Sequence, residues 1–452
     1  MPSLHGRIIH KILFPLNEKR EGTNILGALE VLEKSQYWSR ERLAEWQFNR
    51  LKLVLNQAYE HTVLYRRRFD EIGFHPRDFR DFSDLRKLPL LRKMDLKNHL
   101  NELIADNYPE KDIHESTTGG TTADYTVFYR DNASLNFKLA STMRHDRWCG
   151  WDIGEKEAIV WPASIDFRGE KNWKSFIRNQ LLDRRLRIFA GVLDEKTLHD
   201  ICRQLERFRP CLMRGFPNPI SVMADFIESG NRYHIQPGAI KSVGEPLSSR
   251  AREQFKKVFH CDVFDYYLSR ESGTIASECE KHFKMHMNAE TLYIEFLKNG
   301  QPVENGESGD VVVTDLFNLG MPFIRYQVGD IGAPVQGSCT CGRTLPLMEM
   351  GAGRESDYLI SPHDGSLIMG LSLLVPLVEN PKVGQLQIIQ DERDHIILRI
   401  AKDKDFQTEN MTLLEKTIGN IFHGKMRFTV EFVDAIPHDK SGKYRFAIRK
   451  EF

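Results

Sequence analysis

The sequence lacks an excess of either charge, a long apolar run and an even set of cysteines. Its 452 residues include 63 Lys and Arg against 63 Asp and Glu, so the formal net charge is zero with neutral histidines. Because the chain is not strongly basic, we do not expect nucleic acid as a partner. Hydrophobic residues make up 41% and charged residues 28%, and this composition predicts a folded protein with a sizeable core.

No stretch reaches the roughly 20 apolar residues that a membrane-spanning helix needs. The N-terminal MPSLHGRIIHKILFPLNEKR mixes basic with apolar residues and has no small-residue cleavage site, so it does not predict a signal peptide. We therefore expect a cytoplasmic protein without a transmembrane segment. Packing of this amphipathic segment on its own domain is the simpler interpretation, and contact with a membrane or a partner is the alternative.

Seven cysteines are an odd number for a long chain without a signal peptide, so a disulfide framework is not expected. Four potential metal ligands form two close pairs, Cys279-x-x-His282 and Cys339-x-Cys341. Both pairs follow predicted site strands, and tetrahedral zinc tolerates these spacings. We expect a closed structural zinc site, with His286 as a substitute ligand; the alternative is free thiols beside a surface histidine.

The pattern along the chain predicts an α/β protein with two unequal domains. Residues 1–112 contain helical segments such as LGALEVLEKSQYW and the long ERLAEWQFNRLKLVLNQAYEHTVLYRRRFDEIG. After them, β-prone runs such as YTVFYR, EAIVW and RLRIFA alternate with helices. The Gly-rich GAGRESD separates this body from a terminal unit. In that unit we expect, in order, a helix (GLSLLVPLVEN), two strands (GQLQIIQ and HIILRIA), a helix (ENMTLLEKTIGNIF) and a strand (FTVEFV). We expect a large layered α/β domain over 1–353 and a small mobile α+β domain over 354–452.

Six short segments carry residues suited to phosphate and nucleotide chemistry. Ser116-Thr-Thr-Gly-Gly-Thr-Thr122 could wrap a polyphosphate with backbone N–H groups and hydroxyls; a plain polar turn is the alternative. Ser242-Val-Gly-Glu-Pro-Leu247 precedes a helix. The strand end Tyr267-Leu-Ser-Arg-Glu271 offers an aromatic ring and a carboxylate for magnesium, or a surface ion pair between Arg270 and Glu271.

The last three segments carry single charged groups. Arg325-Tyr-Gln-Val-Gly-Asp330 ends in a carboxylate that could accept hydrogen bonds from ribose hydroxyls. Gly353-Arg354 offers an arginine that could bind the same sugar or a phosphate. Lys443 lies on a glycine-bearing turn from which its ammonium could swing into a site elsewhere; taken alone, it is more simply a solvated charge.

In this order the six segments resemble the adenylate-forming superfamily of acyl-CoA synthetases, luciferases and adenylation domains. The chain is most similar to the phenylacetate-CoA ligase branch and its CapK-like members. The segments LNQAYEHTVLYRRRFDEIG, DFSDLRKLPLLRKMDL and RHDRWCGWDIGEK also resemble that branch. The resemblance covers nearly the whole chain, and it rests on the order of the segments rather than on any one of them.

The resemblance implies a role for each matching residue. Lys443 would be the mobile adenylation lysine, and Glu271 would bind magnesium; with Thr118 these form the expected catalytic set. Tyr267 would stack on adenine, Asp330 would bind the ribose hydroxyls, and Arg354 would lie at the domain hinge near ribose and phosphate. The remaining expected ATP-binding residues are Thr117, Gly119, Gly120, Thr121, Thr122, Gly244, Glu245, Pro246, Ser269 and Arg270.

The expected activity is ATP-dependent conversion of a carboxylic acid to an acyl-adenylate with release of pyrophosphate, followed by acyl transfer to CoA. The expected cofactors are ATP, Mg²⁺, CoA and structural Zn²⁺. One alternative acceptor is an amine or hydroxyl in surface-polysaccharide synthesis. The altered phosphate loop, with Ala123-Asp124-Tyr125 in place of the common Gly-Lys, leaves an impaired nucleotide-binding protein as another alternative. The acid and the oligomeric state stay open, with a dimer among the options.

Overall fold

The structure is a computed structural model, and it describes most of the chain. The described residues are 3–117, 126–161, 178–190, 193, 195–230, 232–244, 247–350, 358–363, 367–369, 385–401, 409–422, 424–434, 436 and 447–450. They form two compact units. The first contains the described residues within 1–119, 126–154 and 264–351, and the second those within 155–263 and 352–452. Because the second unit includes parts of both predicted domains, the boundary at residue 353 stays a prediction.

Helices dominate the first hundred residues, as the apolar spacing predicts. A π-helical turn, Ile9–Leu13, lies between the first two helices, and a second one spans Asn179–Asp183. The helices are α1 Leu4–Ile8, α2 Phe14–Glu21, α3 Ile25–Ser35, α4 Arg40–His61, α5 Val63–Glu71, α6 Lys93–Asn98, α7 Leu100–Leu103, α8 Asn132–Trp148, α9 Glu195–Phe208, α10 Pro217–Glu228, α11 Ser249–Phe259 and α12 Glu409–Ile421. Among the described residues, each helix is too short or too polar to span a bilayer.

The sequence predicts one continuous helix where the structure has α4 and α5. The break is at Thr62, whose backbone is extended and whose side chain accepts a hydrogen bond from the backbone N–H of Tyr65. A threonine in this position caps the following helix and satisfies one of its free N–H groups. The apolar period continues through the break, which is why spacing alone does not reveal it.

The strands confirm the alternation predicted after residue 112. The expected runs YTVFYR, EAIVW and RLRIFA become β2, β3 and β4. In chain order the strands are β1 Ile113–Thr117, β2 Val127–Asp131, β3 Glu157–Trp161, β4 Arg185–Phe189, β5 Leu212–Gly215, β6 Ala239–Val243, β7 Asp262–Ser269, β8 Gly273–Glu278, β9 Met285–Met287, β10 Leu292–Lys298, β11 Gln301–Pro302, β12 Gly309–Asp315, β13 Tyr326–Val335, β14 Leu347–Met350, β15 Tyr358–Ile360, β16 Leu367–Met369, β17 Gln385–Glu392, β18 His395–Ala401, β19 Arg427–Val433 and β20 Ala447–Arg449.

Each unit has its own pairing pattern. In the first unit the strands follow the order β11-β10-β12-β13-β14-β9-β8-β7 with antiparallel neighbours, and β1 pairs with β2 in a hairpin. In the second unit, the parallel strands β6-β5-β3-β4 pack with α9, α10 and α11 around an apolar cluster. The mixed α/β class predicted from the sequence is confirmed.

The terminal residues form a small α+β arrangement within the second unit. Its four strands follow the order β19-β18-β17-β20, and α12 supplies Leu414 and Ile418 to a core with Ile388 and Leu398. The strands and helix predicted from GQLQIIQ onward are therefore confirmed. The helix expected in GLSLLVPLVEN lies outside the described residues.

A buried ion pair connects three segments of the first unit. Arg144 of α8 and Glu290, which follows β9, are almost completely buried, and their closest N–O distance is 2.5 Å. Arg144 also donates to the backbone carbonyl of Leu32 and to Asn288, while Ser35 of α3 donates to Glu290. Removal of one charge would leave the other buried without its counter-ion.

Replacement of Glu290 by Gln should therefore destabilise the protein by about 3–5 kcal/mol, because the Arg144 guanidinium would lose its buried carboxylate. Urea unfolding of the full chain at neutral pH measures this loss. Glu307→Gln, in the exposed Lys298–Glu307 pair, is the matched control and should cause little change. Equal effects of the two substitutions would contradict the assigned role of Glu290.

Candidate functional site

Two tyrosine–carboxylate hydrogen bonds bring together the predicted strand-end residues. Tyr267 near the end of β7 donates to Asp330 of β13 at 2.9 Å. Tyr326, at the start of β13, donates a hydrogen bond of 2.9 Å to Glu271, which lies in the turn after β7. Both bonds connect the end of β7 with β13. The donor lies on β7 in the first bond and on β13 in the second. The predicted magnesium ligand and the predicted ribose acceptor lie at one site in the first unit.

Burial keeps both tyrosines in their hydrogen-bond-donating form. The pKa of Tyr267 lies well above its usual value, because its ring is buried and the charge of Asp330 is adjacent. Burial, followed by the charge of Glu271, has the same effect on the pKa of Tyr326. Each phenol therefore remains protonated and fixes one carboxylate. Tyr267 is 9% exposed, so its predicted stacking on adenine requires an uncovered ring face and stays a prediction.

Arg130, at the penultimate position of β2, holds the turn that carries Glu271. Its guanidinium donates to the backbone carbonyl of Arg270 at 2.7 Å and also to that of Glu271. On its other side lies Asp315, 3.8 Å away. Arg130 is 1% exposed, and these oxygens compensate for the loss of water around its charge. We infer that Arg130 positions the Glu271 carboxylate through the backbone.

A polar cavity adjoins this turn. Its lining residues are Arg130, Ser134, Phe137, Lys138, Ser272, Thr274, Asn288, Thr291, Leu292, Asp315 and Phe317. The Lys138 ammonium donates to the Arg270 carbonyl at 3.3 Å. Burial, with the nearby Arg130 charge, lowers the pKa of Lys138 to about 7, although Glu271 and Asp315 act in the opposite direction. A partly neutral lysine therefore lies next to the predicted magnesium ligand.

The other predicted nucleotide-binding residues within the described part are distributed over both units. Thr117 is the last residue of β1, directly before the predicted phosphate loop. Ser269 ends β7, and its hydroxyl accepts a hydrogen bond from the Ser272 backbone. Gly244 follows β6 in the second unit with φ +84°, and an added Cβ would lie 2.5 Å from the Phe216 ring. Only glycine fits that turn without strain.

Several predicted residues lie outside the described part of the chain, so their roles stay predictions. These are Thr118, Gly119, Gly120, Thr121, Thr122, Glu245, Pro246, Arg354 and Lys443.

Arg325, the first residue of the segment that contains Asp330, has a structural role. It is 3% exposed and forms a bidentate pair with Glu295, with both N–O distances at 3.0 Å. It also donates to the backbone carbonyl of Leu88 at 2.6 Å. These bonds occupy the guanidinium inside the core of the first unit.

Three cysteines and one histidine form a compact group in the first unit. Cys279 follows β8, His286 lies on β9, and Cys339 and Cys341 lie between β13 and β14; their potential ligand atoms are all within 4.8 Å of one another. Sγ of Cys279 lies 3.6 Å from Sγ of Cys339, and Sγ of Cys341 lies 3.4 Å from Nε2 of His286. Ligand atoms about 2.3 Å from a tetrahedral zinc would be separated by about 3.8 Å, so these residues fit such an ion.

The environment of the group is largely apolar. Leu43, Trp148, Ala289 and Leu345 pack around the cysteines. Burial lowers the pKa of His286 to about 4, which favours the neutral imidazole that binds metals. For Cys341, burial would raise the pKa, but hydrogen bonds from Arg343 and from the thiols of Cys339 and Cys279 together lower it below the usual value.

His282, the histidine predicted for the metal group, is not part of it. Its backbone N–H bonds to the Cys279 carbonyl in a turn, and its Nδ1 lies 3.3 Å from a Glu278 carboxylate oxygen. The turn directs the ring away from the cysteines, and the pairing of β9 with β14 brings His286 to them instead. The four-residue group therefore contains the residue named as the substitute ligand.

Comparison with known proteins identifies the relatives of this chain. A model of the CapK C-terminal domain matches residues 359–450. Protein CapK of Staphylococcus aureus is 26% identical over 377 residues, covering 81% of this chain and 80% of CapK. The phenylacetate-coenzyme A ligase of Escherichia coli strain K12 is 28% identical over 350 residues, covering 71% and 73%. The chain is a homologue of CapK and the phenylacetate-CoA ligases. The resemblance inferred from the ordered segments is confirmed.

The fold of this CapK homologue also matches solved structures. A 2-hydroxyisobutyryl-CoA ligase in the postadenylation state aligns with a TM-score of 0.62 at 19% identity, covering 92% of this chain and 91% of the ligase. The same ligase in complex with 2-HIB-AMP and CoA gives a TM-score of 0.63. At this identity the alignments establish that the two proteins share a fold.

Sequence reasoning missed three residues at the site of the CapK homologue. Tyr326 lies within a segment singled out for its neighbour Asp330, and its position four residues earlier on the same strand was the available signal. Arg130 and Lys138 carry no such signal, because each looks like an ordinary charge on a strand or helix. Their importance follows from burial beside the Glu271 turn.

The lowered pKa of Lys138 predicts a specific pH dependence. In the unfolded chain Lys138 has the ordinary lysine pKa of about 10.4. Between pH 7 and 10 the unfolded state therefore binds more protons than the folded state at this residue. As a result, Lys138 makes the free energy of unfolding rise with pH. Lys138→Met removes the contribution. The free energy of unfolding of the variant, relative to that of the wild type, should be highest near pH 7. This difference should narrow towards pH 10 by at most about 1.4 kcal/mol per pH unit.

Urea unfolding of both proteins at several pH values measures that gap. Lys34→Met, at an exposed lysine of α3, controls for the loss of a positive charge. A gap between Lys138→Met and wild type that stays constant with pH would show that the native ammonium is not desolvated.

Proposed function

We propose that this protein activates a carboxylic acid with ATP and transfers the acyl group to CoA. In the first step a carboxylate oxygen attacks the α-phosphorus, and the bond from phosphorus to pyrophosphate breaks. In the second step the CoA thiol loses its proton, sulfur bonds to the acyl carbon, and AMP leaves. The relationship to the phenylacetate-CoA ligases over 71% of the chain carries this proposal, and the fold shared with another CoA ligase supports it.

The geometry of the first unit supports roles for two carboxylates. Glu271 would hold Mg²⁺, which would reduce the repulsion between the attacking carboxylate and the ATP phosphates. Arg130 and Tyr326 fix the turn and one oxygen of Glu271. Asp330 would accept hydrogen bonds from ribose hydroxyls, with its position set by Tyr267. In this scheme the two tyrosines orient the acids without carrying charge.

Lys443 completes the proposed adenylation site. Its ammonium would stabilise the charge that builds up as the α-phosphorus is attacked. Rotation of the small terminal domain would then remove it and admit the acceptor. Residue 443 lies within the range matched by the CapK C-terminal model. We also propose the cytoplasm as the location, since ATP, CoA and seven free cysteines suit a reducing compartment.

Acid-dependent exchange of pyrophosphate into ATP tests the activity and the lysine together. A screen of aryl and alkyl carboxylic acids should find exchange for at least one of them, and Lys443→Ala should lower its rate about 100-fold or more, because one stabilising donor is lost. Lys416→Ala, at an exposed lysine of α12, is the control and should retain the wild-type rate. ATP binding without exchange for any acid would refute the proposed activity.

An assay of acyl transfer alone distinguishes a role of Lys443 in adenylation from a general loss of folded or active protein. It also identifies the acceptor. When acyl-adenylate is supplied, Lys443→Ala should still form acyl-CoA at about the wild-type rate. An amine or hydroxyl acceptor, the other enzymatic alternative, would appear as adenylate consumption with those acceptors and none with CoA. Equal loss of both half-reactions would contradict the assignment of Lys443 to adenylation.

We also propose that Cys279, His286, Cys339 and Cys341 hold a structural zinc ion. Three thiolates and an imidazole would close the coordination sphere and leave no position for a catalytic water. The ion would tie the residues after β8, β9 and the loop between β13 and β14 to one point. The apolar packing around the group fits this structural role.

Elemental analysis of the purified full chain should find about one zinc per molecule, with large losses in Cys339→Ser and His286→Ala. His282→Ala is the matched control and should keep its zinc, because this ring faces Glu278. The two zinc-deficient variants should also unfold at lower temperature. Zinc loss from His282→Ala but not from His286→Ala would reverse the ligand assignment, and zinc-free wild-type protein would exclude the site.

A further inference from the structure

The N-terminal helical segment, residues 4–21, has one face fixed to the first unit. Gly6, Ile9 and Phe14 are buried. Gly154 approaches this face so closely that an added Cβ would lie 2.8 Å from Cβ of Ile9 and 2.9 Å from Cα of Gly6. The prediction that the segment packs on its own unit therefore holds for this face.

Polar contacts hold the middle and the C-terminal part of the segment. The imidazole of His10 lies 3.5 Å from a carboxylate oxygen of Asp152. Glu18 is buried, and its carboxylate accepts hydrogen bonds from the backbone N–H groups of Ile25 and Leu26 at the start of α3. These contacts fix one side of the segment against the unit, so the same residues lie on its opposite face.

That opposite face is a stripe of four large aliphatic residues. Leu4, Ile8, Ile12 and Leu16 are 76%, 46%, 53% and 61% exposed. Residues four apart in an α-helix are offset by about 40°, because 3.6 residues complete a turn. The π-helical turn Ile9–Leu13 contains more residues per turn and rotates the later residues back towards the earlier ones. The four side chains therefore stay on one side of the segment.

Pro15 directly follows the π-turn. It has no N–H to bond to the carbonyl four residues earlier, and the N–H of Phe14 bonds to the Ile9 carbonyl, five residues back. The helix then continues to Glu21, with the stripe aligned across the π-turn. Without the π-turn, Leu16 would be rotated well away from Leu4.

The charges beside the stripe are mostly basic. The exposed charged residues of the segment are Arg7, Lys11, Lys19, Arg20 and Glu21. Glu21 forms an ion pair with Arg20 at 2.6 Å, and the other acidic residue, Glu18, is buried. An aliphatic stripe bordered by basic side chains matches the interface of an anionic bilayer, where apolar groups enter the acyl boundary and cations meet lipid phosphates.

We propose that this segment docks the protein on an anionic membrane surface. Leu4, Ile8, Ile12 and Leu16 would enter the interface, with Arg7 and Lys11 at the level of the lipid headgroups. The stripe is about 18 Å long and one helix wide, about 10 Å, so it covers far less than the roughly 800 Å² per partner of a stable protein interface. A bilayer can take up such a narrow stripe because it adapts to each side chain.

Flotation of the full chain with vesicles tests the proposal without any assay of activity. The wild type should float with vesicles that contain phosphatidylglycerol, should bind pure phosphatidylcholine much more weakly, and should be released by salt. Ile8→Ser/Ile12→Ser should weaken partition at least about tenfold through the lost apolar burial. Arg7→Glu/Lys11→Glu should weaken it about fivefold or more for each residue.

Leu53→Ser provides the matched control, because Leu53 is 51% exposed on α4 and lies outside the segment. It should bind vesicles as the wild type does, and thermal unfolding should show that each variant is folded. The proposal is wrong if phosphatidylglycerol vesicles do not bind the wild type, or if Leu53→Ser loses as much binding as the stripe variant. It is also wrong if the stripe instead mediates a dimer, seen as a change in molar mass with Ile8→Ser/Ile12→Ser and no vesicle binding.

Discussion

A buried charge must find its counter-ion and its hydrogen-bond acceptors inside the protein, and the first unit meets this constraint at three arginines. Arg130, Arg144 and Arg325 are at most 3% exposed, and each contacts a carboxylate and at least one backbone carbonyl. Because a guanidinium offers five donors in a fixed plane, each arginine fixes several segments at once. Large parts of the unit are held relative to one another in this way.

The candidate site depends directly on this constraint. Arg130 holds the backbone of the Glu271 turn, while Arg325 is fixed by Glu295 immediately before Tyr326. Both partners of the Tyr326–Glu271 bond are therefore positioned by a neighbouring buried arginine. A carboxylate that must bind a metal or a sugar benefits from such support, because little reorganisation is needed when the ligand arrives. Lys138 adds a cation whose charge is weakened by the same burial.

The cysteine–histidine group and the N-terminal segment show how local geometry selects among similar residues. His282 and His286 lie four residues apart, yet a turn directs one to Glu278 and a strand pairing brings the other to the cysteines. Along residues 4–21 the apolar residues are divided in the same way. Some pack against Gly154, and four face solvent beside basic residues. In both cases residue type alone does not decide the role.

The sequence by itself determined the mixed α/β class, three of the four strands of the terminal sheet, the relationship to CapK and the phenylacetate-CoA ligases, and the proximity of Glu271 and Asp330. These features follow from periodicity and from short segments in a fixed order, which are local properties of a chain. The tertiary structure decided the break at Thr62, the structural role of Arg325, the choice of His286 over His282, and the parts played by Arg130, Tyr326 and Lys138. Each of these depends on contacts between residues distant in sequence and on the burial of charge. The spacing of residues along the chain does not reveal such contacts or such burial.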